Sequence, residues 1–261
     1  MDPVRQVMDT VADADTGNEL YGALAPLYDI FFAERCDYDA LATFVSDRAP
    51  AGARSVAVGA CGTGRLLARL ADRYDCAVGL DSSAAMLRLA AGRTDAALVR
   101  ADLRTVTAPG AFDLLTVTGN SLAHLPAGDP DGVRTAFESA AESLTPGGTL
   151  VCDFMLTDSL MNGYATEDTV ETERCRVERR VVTRIEDRGA DSLGQAGRYD
   201  YEFTMTDRRT GETVRAEASL PVRVFESGAL PGVARSVGFT ETALVDPPTP
   251  YGGGLMARVP E

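Results

Sequence analysis

The sequence predicts an α/β protein: a doubly wound, mostly parallel sheet with antiparallel strands inserted late in the chain. Three observations predict it. Short apolar strands alternate with amphipathic helices up to about residue 155, the pattern of right-handed crossovers in a parallel sheet. After about residue 165 the alternation gives way to consecutive runs of strand period. A bend nearly stripped of side chains, Ala60-Cys61-Gly62-Thr63-Gly64, closes the first strand, where such sheets bind their ligands.

The elements follow in order. Residues 1–20 are polar and acidic, without the apolar core of a signal peptide, and are expected to form a mobile or lid-forming arm. Residues 20–49, LYGALAPLYDIFFAERCDYDALATFVSDRA, place Leu41, Phe44 and Val45 at helical spacing. SVAVG, the bend and RLLARLADRY form a strand–turn–helix unit. CAVGL ends in Asp81, and SSAAMLRLAAGR makes the next helix, with Ser82 or Ser83 as N-cap. AALVR and FDLLTVTG are two more strands, GVRTAFESAAESL a helix, and TPGG turns the chain into TLVCDF. CRVERRVVTRIEDRG, GRYDYEFTMTDRRTG and ETVRAEASLPVRVFE read as three inserted strands, with RRTGE as a hairpin turn. GALPGVARSVGF returns to helix, and ETALV and GLMARV close the chain. The expected division is therefore a core over 21–165, an inserted layer over 166–228 that covers the substrate side, and a final helix and strands over 229–261.

Composition narrows the function. Five scattered cysteines without a CxxC pair argue against disulfides and structural zinc, and the single histidine, His124, excludes a multi-histidine metal site. No apolar run reaches the roughly 18 residues of a membrane span, so a cytoplasmic protein without a membrane partner is expected. The net charge is −14, Asp outnumbers Glu 24 to 15, and every basic residue is arginine. This balance resembles that of proteins from salt-loving microbes and disfavours phosphate-mediated nucleic-acid binding.

Two ligand classes use a glycine bend followed by an acidic end to the second strand. A dinucleotide site needs G-x-G-x-x-G, but counting from Gly62 puts Leu67 at the third glycine, and counting from Gly59 puts Cys61 at the second. The other class is S-adenosylmethionine, which carries no phosphate and needs only a close backbone. A-C-G-T-G-R, then G-L-D-S-S, then A-D-L-R resembles, in order and spacing, the motifs of class I S-adenosylmethionine-dependent methyltransferases over residues 21–155.

That resemblance implies a Rossmann-like sheet with an antiparallel last strand, S-adenosyl-L-methionine as cofactor and S-adenosyl-L-homocysteine as product. It implies that Ala60, Gly62 and Gly64 form the cofactor loop, that Asp81 takes both ribose hydroxyls with Ser82 beside it, and that Met86 lies on the adenine. Asp102 and the backbone of Leu103 would read the adenine amino edge, and Gly119 would lie beneath the methionine moiety. One departure stands out: Val58 occupies the position where the family usually has an acid near the cofactor ammonium.

TGNSLAHLP, residues 118–126, resembles the GNS-x-AHL segment of glycine and sarcosine N-methyltransferases. It implies that His124 orients the cofactor carboxylate or acts as a base, with Asn120 and Ser121 holding cofactor or substrate. LAPLYDIFFAERCDY resembles the cofactor-covering segment of small-molecule N-methyltransferases, particularly those acting on amino sugars or glycine. It implies that Tyr28, Phe32 and Tyr38 close the methyl pocket and that Arg35 pairs with the methionyl carboxylate. Asp153, without an acidic or amide neighbour in sequence, is expected to be structural or to line the substrate pocket, so no metal is expected. DPPTPY at 246–251 reads as a rigid turn. The expectation is methyl transfer to nitrogen or oxygen of a small molecule. An idle nucleoside-binding protein and, less so, an NAD-dependent oxidoreductase stay open, and the acceptor and oligomeric state are not legible.

Overall fold

The computed structural model describes residues 3–13, 20–125, 131–156, 162–186 and 193–261. Parallel strands β1 (Ser55–Gly59), β2 (Cys76–Asp81), β3 (Ala97–Arg100), β4 (Phe112–Val117) and β5 (Leu144–Met155) are joined by crossovers that include α4 (Arg65–Ala71), α5 (Ala84–Ala91) and α6 (Gly132–Ser143). With β10 (Glu241–Val245) and β11 (Gly252–Arg258) they form a seven-stranded sheet ordered β10-β11-β5-β4-β1-β2-β3, in which β11 runs antiparallel to both neighbours.

The strand period decides which face each side chain supplies. In β1, Val56 and Val58 point to the layer of α3 (Tyr38–Ser46) and α4, while Ala57 points to the layer of α6 and α7 (Ala229–Ser236). Leu114 and Val151 join the first layer; Leu115, Leu150, Cys152 and Phe154 join the second. The central strands β1, β4 and β5 are thus covered on both sides, as parallel strands inside a sheet require, whereas the edge strands β3 and β10 are largely exposed. TPGG lies inside β5 rather than before it: the chain pairs Phe112 with Leu144, bulges, and resumes with Leu114 opposite Thr149.

The inserted layer is a four-stranded antiparallel sheet of β6 (Ala165–Glu171), β7 (Cys175–Ile185), β8 (Gly194–Asp207) and β9 (Thr213–Phe225). The sequence reading missed β6, ATEDTVE, because only one of its seven residues is buried. One sheet face packs Val177, Tyr199, Tyr201, Phe203 and Leu220 against α1 (Pro3–Asp13) and α2 (Ala25–Ala33). Its other face carries Arg180–Glu202 and Arg184–Asp200 pairs at the surface. Within the expected arm, residues 3–13 are a helix with Val4, Met8 and Val11 buried against this sheet, while residues 14–19 lie outside the described residues.

Gly64 belongs to this packing. It is left-handed (φ 79°) and begins α4 where a Cβ would lie 2.9 Å from Ala90 Cβ of α5. Gly64→Ala is expected to destabilise the protein by about 2 kcal/mol, from backbone strain and overpacking. A thermal midpoint within a degree of wild type would contradict this.

Candidate active site

Three of the five residues in the bend are left-handed: Ala60 (φ 49°), Gly62 (φ 55°) and Gly64. Ala60 and Asn120 (φ 59°) are the two non-glycine residues with positive φ among the described residues. They sit just beyond the ends of adjacent parallel strands, β1 and β4, where the strand order reverses. Strain of this kind persists only where its surroundings hold it.

Asp81 holds the first site. One carboxylate oxygen accepts the Gly62 N–H (2.8 Å) and the other accepts the Ser83 N–H (2.8 Å), which ties the bend to the start of α5. Ser83, rather than Ser82, caps that helix by accepting the Met86 N–H. Asp81 pairs with no cation among the described residues, and burial pushes its carboxyl up against the pull of those two amides. Each oxygen keeps acceptor capacity toward the adjoining cavity.

That cavity, about 420 Å³, brings together most of the residues singled out by sequence. Ala60, Gly62, Asp81, Ser82, Met86, Asp102, Leu103 and Gly119 line one part; Tyr28, Phe32, Tyr38, Ser121 and His124 line another. Three residues fall elsewhere. Gly64 faces Ala90, Asn120 is buried beside β5, and Arg35 pairs with Asp168 of β6 at 2.6 Å. The guanidinium on the cavity wall near the bend is that of Arg65. Asp102 also differs from a free carboxylate: Arg104 forks onto both of its oxygens (3.0 and 2.6 Å) and holds its carboxyl below the ordinary value.

Other lining residues carried no recognisable signal. Tyr21 and Tyr251 line the cavity, the latter from the DPPTPY turn, and Pro221 reaches it from β9. The phenols of Tyr21, Tyr28 and Tyr251 are pushed up by burial and stay neutral, and none has a hydrogen-bond partner among the described residues. Tyr21 stands edge-on to both Tyr28 (5.7 Å) and His124 (5.6 Å). His124 Nδ1 lies 3.3 Å from the Pro221 carbonyl. A carbonyl only accepts, so Nδ1 carries the proton, and burial, partly offset by this bond, holds the ring below its ordinary pKa. The ring is neutral, with Nε2 left as an acceptor. Cys61, at the bend, is an inert thiol pushed up to about 12 by burial. No cluster of metal-ligating side chains occurs among the described residues.

Against known proteins, residues 56–148 match the family model described as "Methyltransferase domain". Residues 56–148 are thus a methyltransferase domain, and the chain is an S-adenosylmethionine-dependent methyltransferase. The methyltransferase is 29% identical over 252 residues to the dTDP-3-amino-3,6-dideoxy-alpha-D-glucopyranose N,N-dimethyltransferase of Streptomyces fradiae, covering 92% of this chain and 91% of the relative. It superposes on the sugar N-methyltransferase KedS8 from Streptoalloteichus with TM-score 0.72, at 25% identity over 90% of this chain and 93% of the other. The fold is also that of Streptomyces venezuelae DesVI, with TM-score 0.80, 24% identity and 91% and 98% coverage. An idle nucleoside binder and an NAD-dependent oxidoreductase, the alternatives left by sequence, give way to this assignment. The cavity fits the cofactor: a half-buried carboxylate without a cation among the described residues for a diol, a backbone bend almost without side chains, and an apolar wall at Met86 and Leu103.

Roofing the cavity depends on one further carboxylate. Asp29 of α2 receives Arg65 through Nε (2.9 Å) and Nη2 (3.0 Å), Arg93 (2.9 Å) and the Thr63 hydroxyl (2.6 Å). It thereby fixes α2, with Tyr28 and Phe32, to the bend and α5. Burial alone would raise the Asp29 carboxyl, but hydrogen bonds from Arg65 and Thr63 and the charges of Arg65 and Arg93 outweigh it, so it is lowered. Its contribution is therefore intact at neutral pH and is lost as pH falls below about 4. Asp29→Ala is expected to cost about 2–3 kcal/mol by denaturant unfolding at pH 7, because it strands two half-buried guanidiniums. A deficit that narrows as pH falls from 7 to 3 is the expected signature; an equal deficit at both pH values would contradict it.

Proposed function

We propose that this methyltransferase acts on the amino nitrogen of a hydroxylated, sugar-like molecule. The observation that carries the proposal is the group of three neutral phenols, Tyr21, Tyr28 and Tyr251, without hydrogen-bond partners among the described residues, sharing one cavity with His124 and the Asp81 bend. Each phenol can donate and accept, which suits an acceptor rich in hydroxyls. The amino-sugar activity named for the S. fradiae relative supports the same substrate class.

In this reading Ala60 and Gly62 would offer backbone to the cofactor, Asp81 would take the ribose diol beside Ser82, and Met86 and Leu103 would supply apolar contact for the adenine. Asp102, forked by Arg104, is left the adenine amino edge. Gly119 lies beneath the methionine arm. Arg65, which lines the cavity and keeps Nη1 outside its fork on Asp29, meets the methionyl carboxylate; Arg35 lies outside the cavity on Asp168. Val58 offers the ammonium no partner, so backbone carbonyls near Gly119 take that place.

Bound S-adenosylmethionine supplies a sulfonium-activated methyl carbon. The protein's task is to hold a neutral amine in line with it and to exclude water. As methylation turns the neutral amine into an ammonium, the rings of Tyr21 and Tyr28 favour that charge, and neutral His124, its Nδ1 fixed on Pro221, then accepts the ammonium's proton at Nε2. The five free thiols support a reducing, cytoplasmic setting, and the acidic, lysine-free composition supports activity in concentrated salt.

Turnover of labelled cofactor against amino sugars, simple amines, sugars lacking nitrogen and phenols, with and without molar salt, tests the proposal. Amino sugars are expected to be methylated on nitrogen; transfer to phenols alone would overturn it. His124→Ala is expected to lower kcat/KM for the amine roughly 100-fold, with S-adenosylhomocysteine affinity within twofold of wild type. Unchanged turnover would remove the proton-accepting role.

A further inference from the structure

Asp153 lies on β5, outside the cavity, and is wholly inaccessible to solvent. Its two carboxylate oxygens accept consecutive backbone N–H groups, Gly119 at 3.0 Å and Asn120 at 2.7 Å. Both residues are left-handed, with φ 77° and 59°. The Asn120 amide oxygen accepts the Met155 N–H (3.0 Å), so three bonds join this loop to β5. The loop leads directly into the short 3-10 helix Ser121–His124, which carries two cavity residues. A non-glycine residue in this conformation needs such compensation.

No cation faces the carboxylate among the described residues. The titratable groups near it are Cys152 on its own strand, Cys36 between α2 and α3, and Tyr251 from the β10–β11 turn, all raised by burial and neutral. Thr249 of the same turn and Gly254 of β11 complete the surroundings.

We propose that Asp153 is a positioning residue: its ionised form holds the Gly119–Asn120 loop in the conformation that binds cofactor, and uptake of one proton there relaxes the loop. An ionised carboxylate offers both N–H groups an acceptor. The acid form keeps one good acceptor and turns its own proton toward the second N–H. Burial, offset in part by those two amides and by the Thr249 hydroxyl, pushes the Asp153 carboxyl up to about 6, which places the change within reach of ordinary pH. The inference rests on the proposed placement of Gly119 beneath the methionine arm.

Asp153→Asn reproduces the shape and hydrogen-bonding of the acid form at every pH. Calorimetric titration with S-adenosylhomocysteine from pH 5 to 8.5 tests the proposal, with thermal unfolding recorded at each pH. Wild-type affinity is expected to weaken about tenfold as pH falls through about 6. Asp153→Asn is expected to bind about tenfold more weakly than wild type at pH 8, to lack that step, and to converge with wild type at pH 5. Asp81 and His124 titrate in both proteins, so their effects cancel in the comparison. Wild-type affinity in the variant at pH 8, or a deficit undiminished at pH 5, overturns the proposal. Should the asparagine variant not fold, Asp153→Ser, also uncharged, supplies the same comparison. A wild-type protein that fails to bind S-adenosylhomocysteine would instead overturn the cofactor placement itself.

Discussion

A single carboxylate sets the geometry of the bend and of the cavity wall beside it. Asp81 ends β2, and its two oxygens reach one amide in the bend after β1 and another at the start of α5. Two crossovers are thereby held at the carboxyl ends of neighbouring strands, and the bend keeps its run of left-handed residues. The arrangement costs solvation, since no positive group among the described residues compensates this half-buried charge. A ligand that donates to the remaining lone pairs lowers that cost, which is the physical reason for assigning the ribose diol to Asp81. The same economy appears at the neighbouring strand end, where Asp153 holds Gly119 and Asn120.

The roof of the cavity is built differently. The inserted antiparallel sheet and α1 and α2 share one apolar cluster, and charged pairs fix its edges. Asp29 joins α2 to Arg65 and Arg93 of the core, whereas Asp168 of β6 gathers Arg35 and the inward-facing Arg179, whose guanidinium lies 4.7 Å from the Phe31 ring. A chain with arginine as its only basic residue uses the planar fork wherever two layers must be joined. The roofed part of the cavity thus depends on residues distant in sequence, from α2, β9 and the β10–β11 turn.

This division explains what sequence could show. The parallel core was legible because each element buries one face at its own period, and the bend, Asp81 and Asp102 follow one another with few residues between. β6 was not legible, since an edge strand of alternating charges has the composition of a loop. Arg35 was assigned to a ligand because its partner, Asp168, lies 133 positions away in a segment without a motif. Gly64 resembled a ligand glycine, yet the Cβ of Ala90 requires it. Asn120 was expected at the reacting centre, but its amide oxygen is bound to Met155 behind the loop. Tyr251 sat in a turn whose prolines explained its shape and concealed its use.

The claim on which the account rests is the contact between Asp81 and the ribose diol. A double-mutant cycle measures it directly: affinities of wild type and Asp81→Ala for S-adenosylhomocysteine and for its 2′,3′-dideoxy analogue, by calorimetry. The account predicts that loss of the diol weakens binding to wild type by about 1.5–3 kcal/mol and leaves binding to Asp81→Ala nearly unchanged. Equal losses in the two proteins would show that the carboxylate and the diol do not meet.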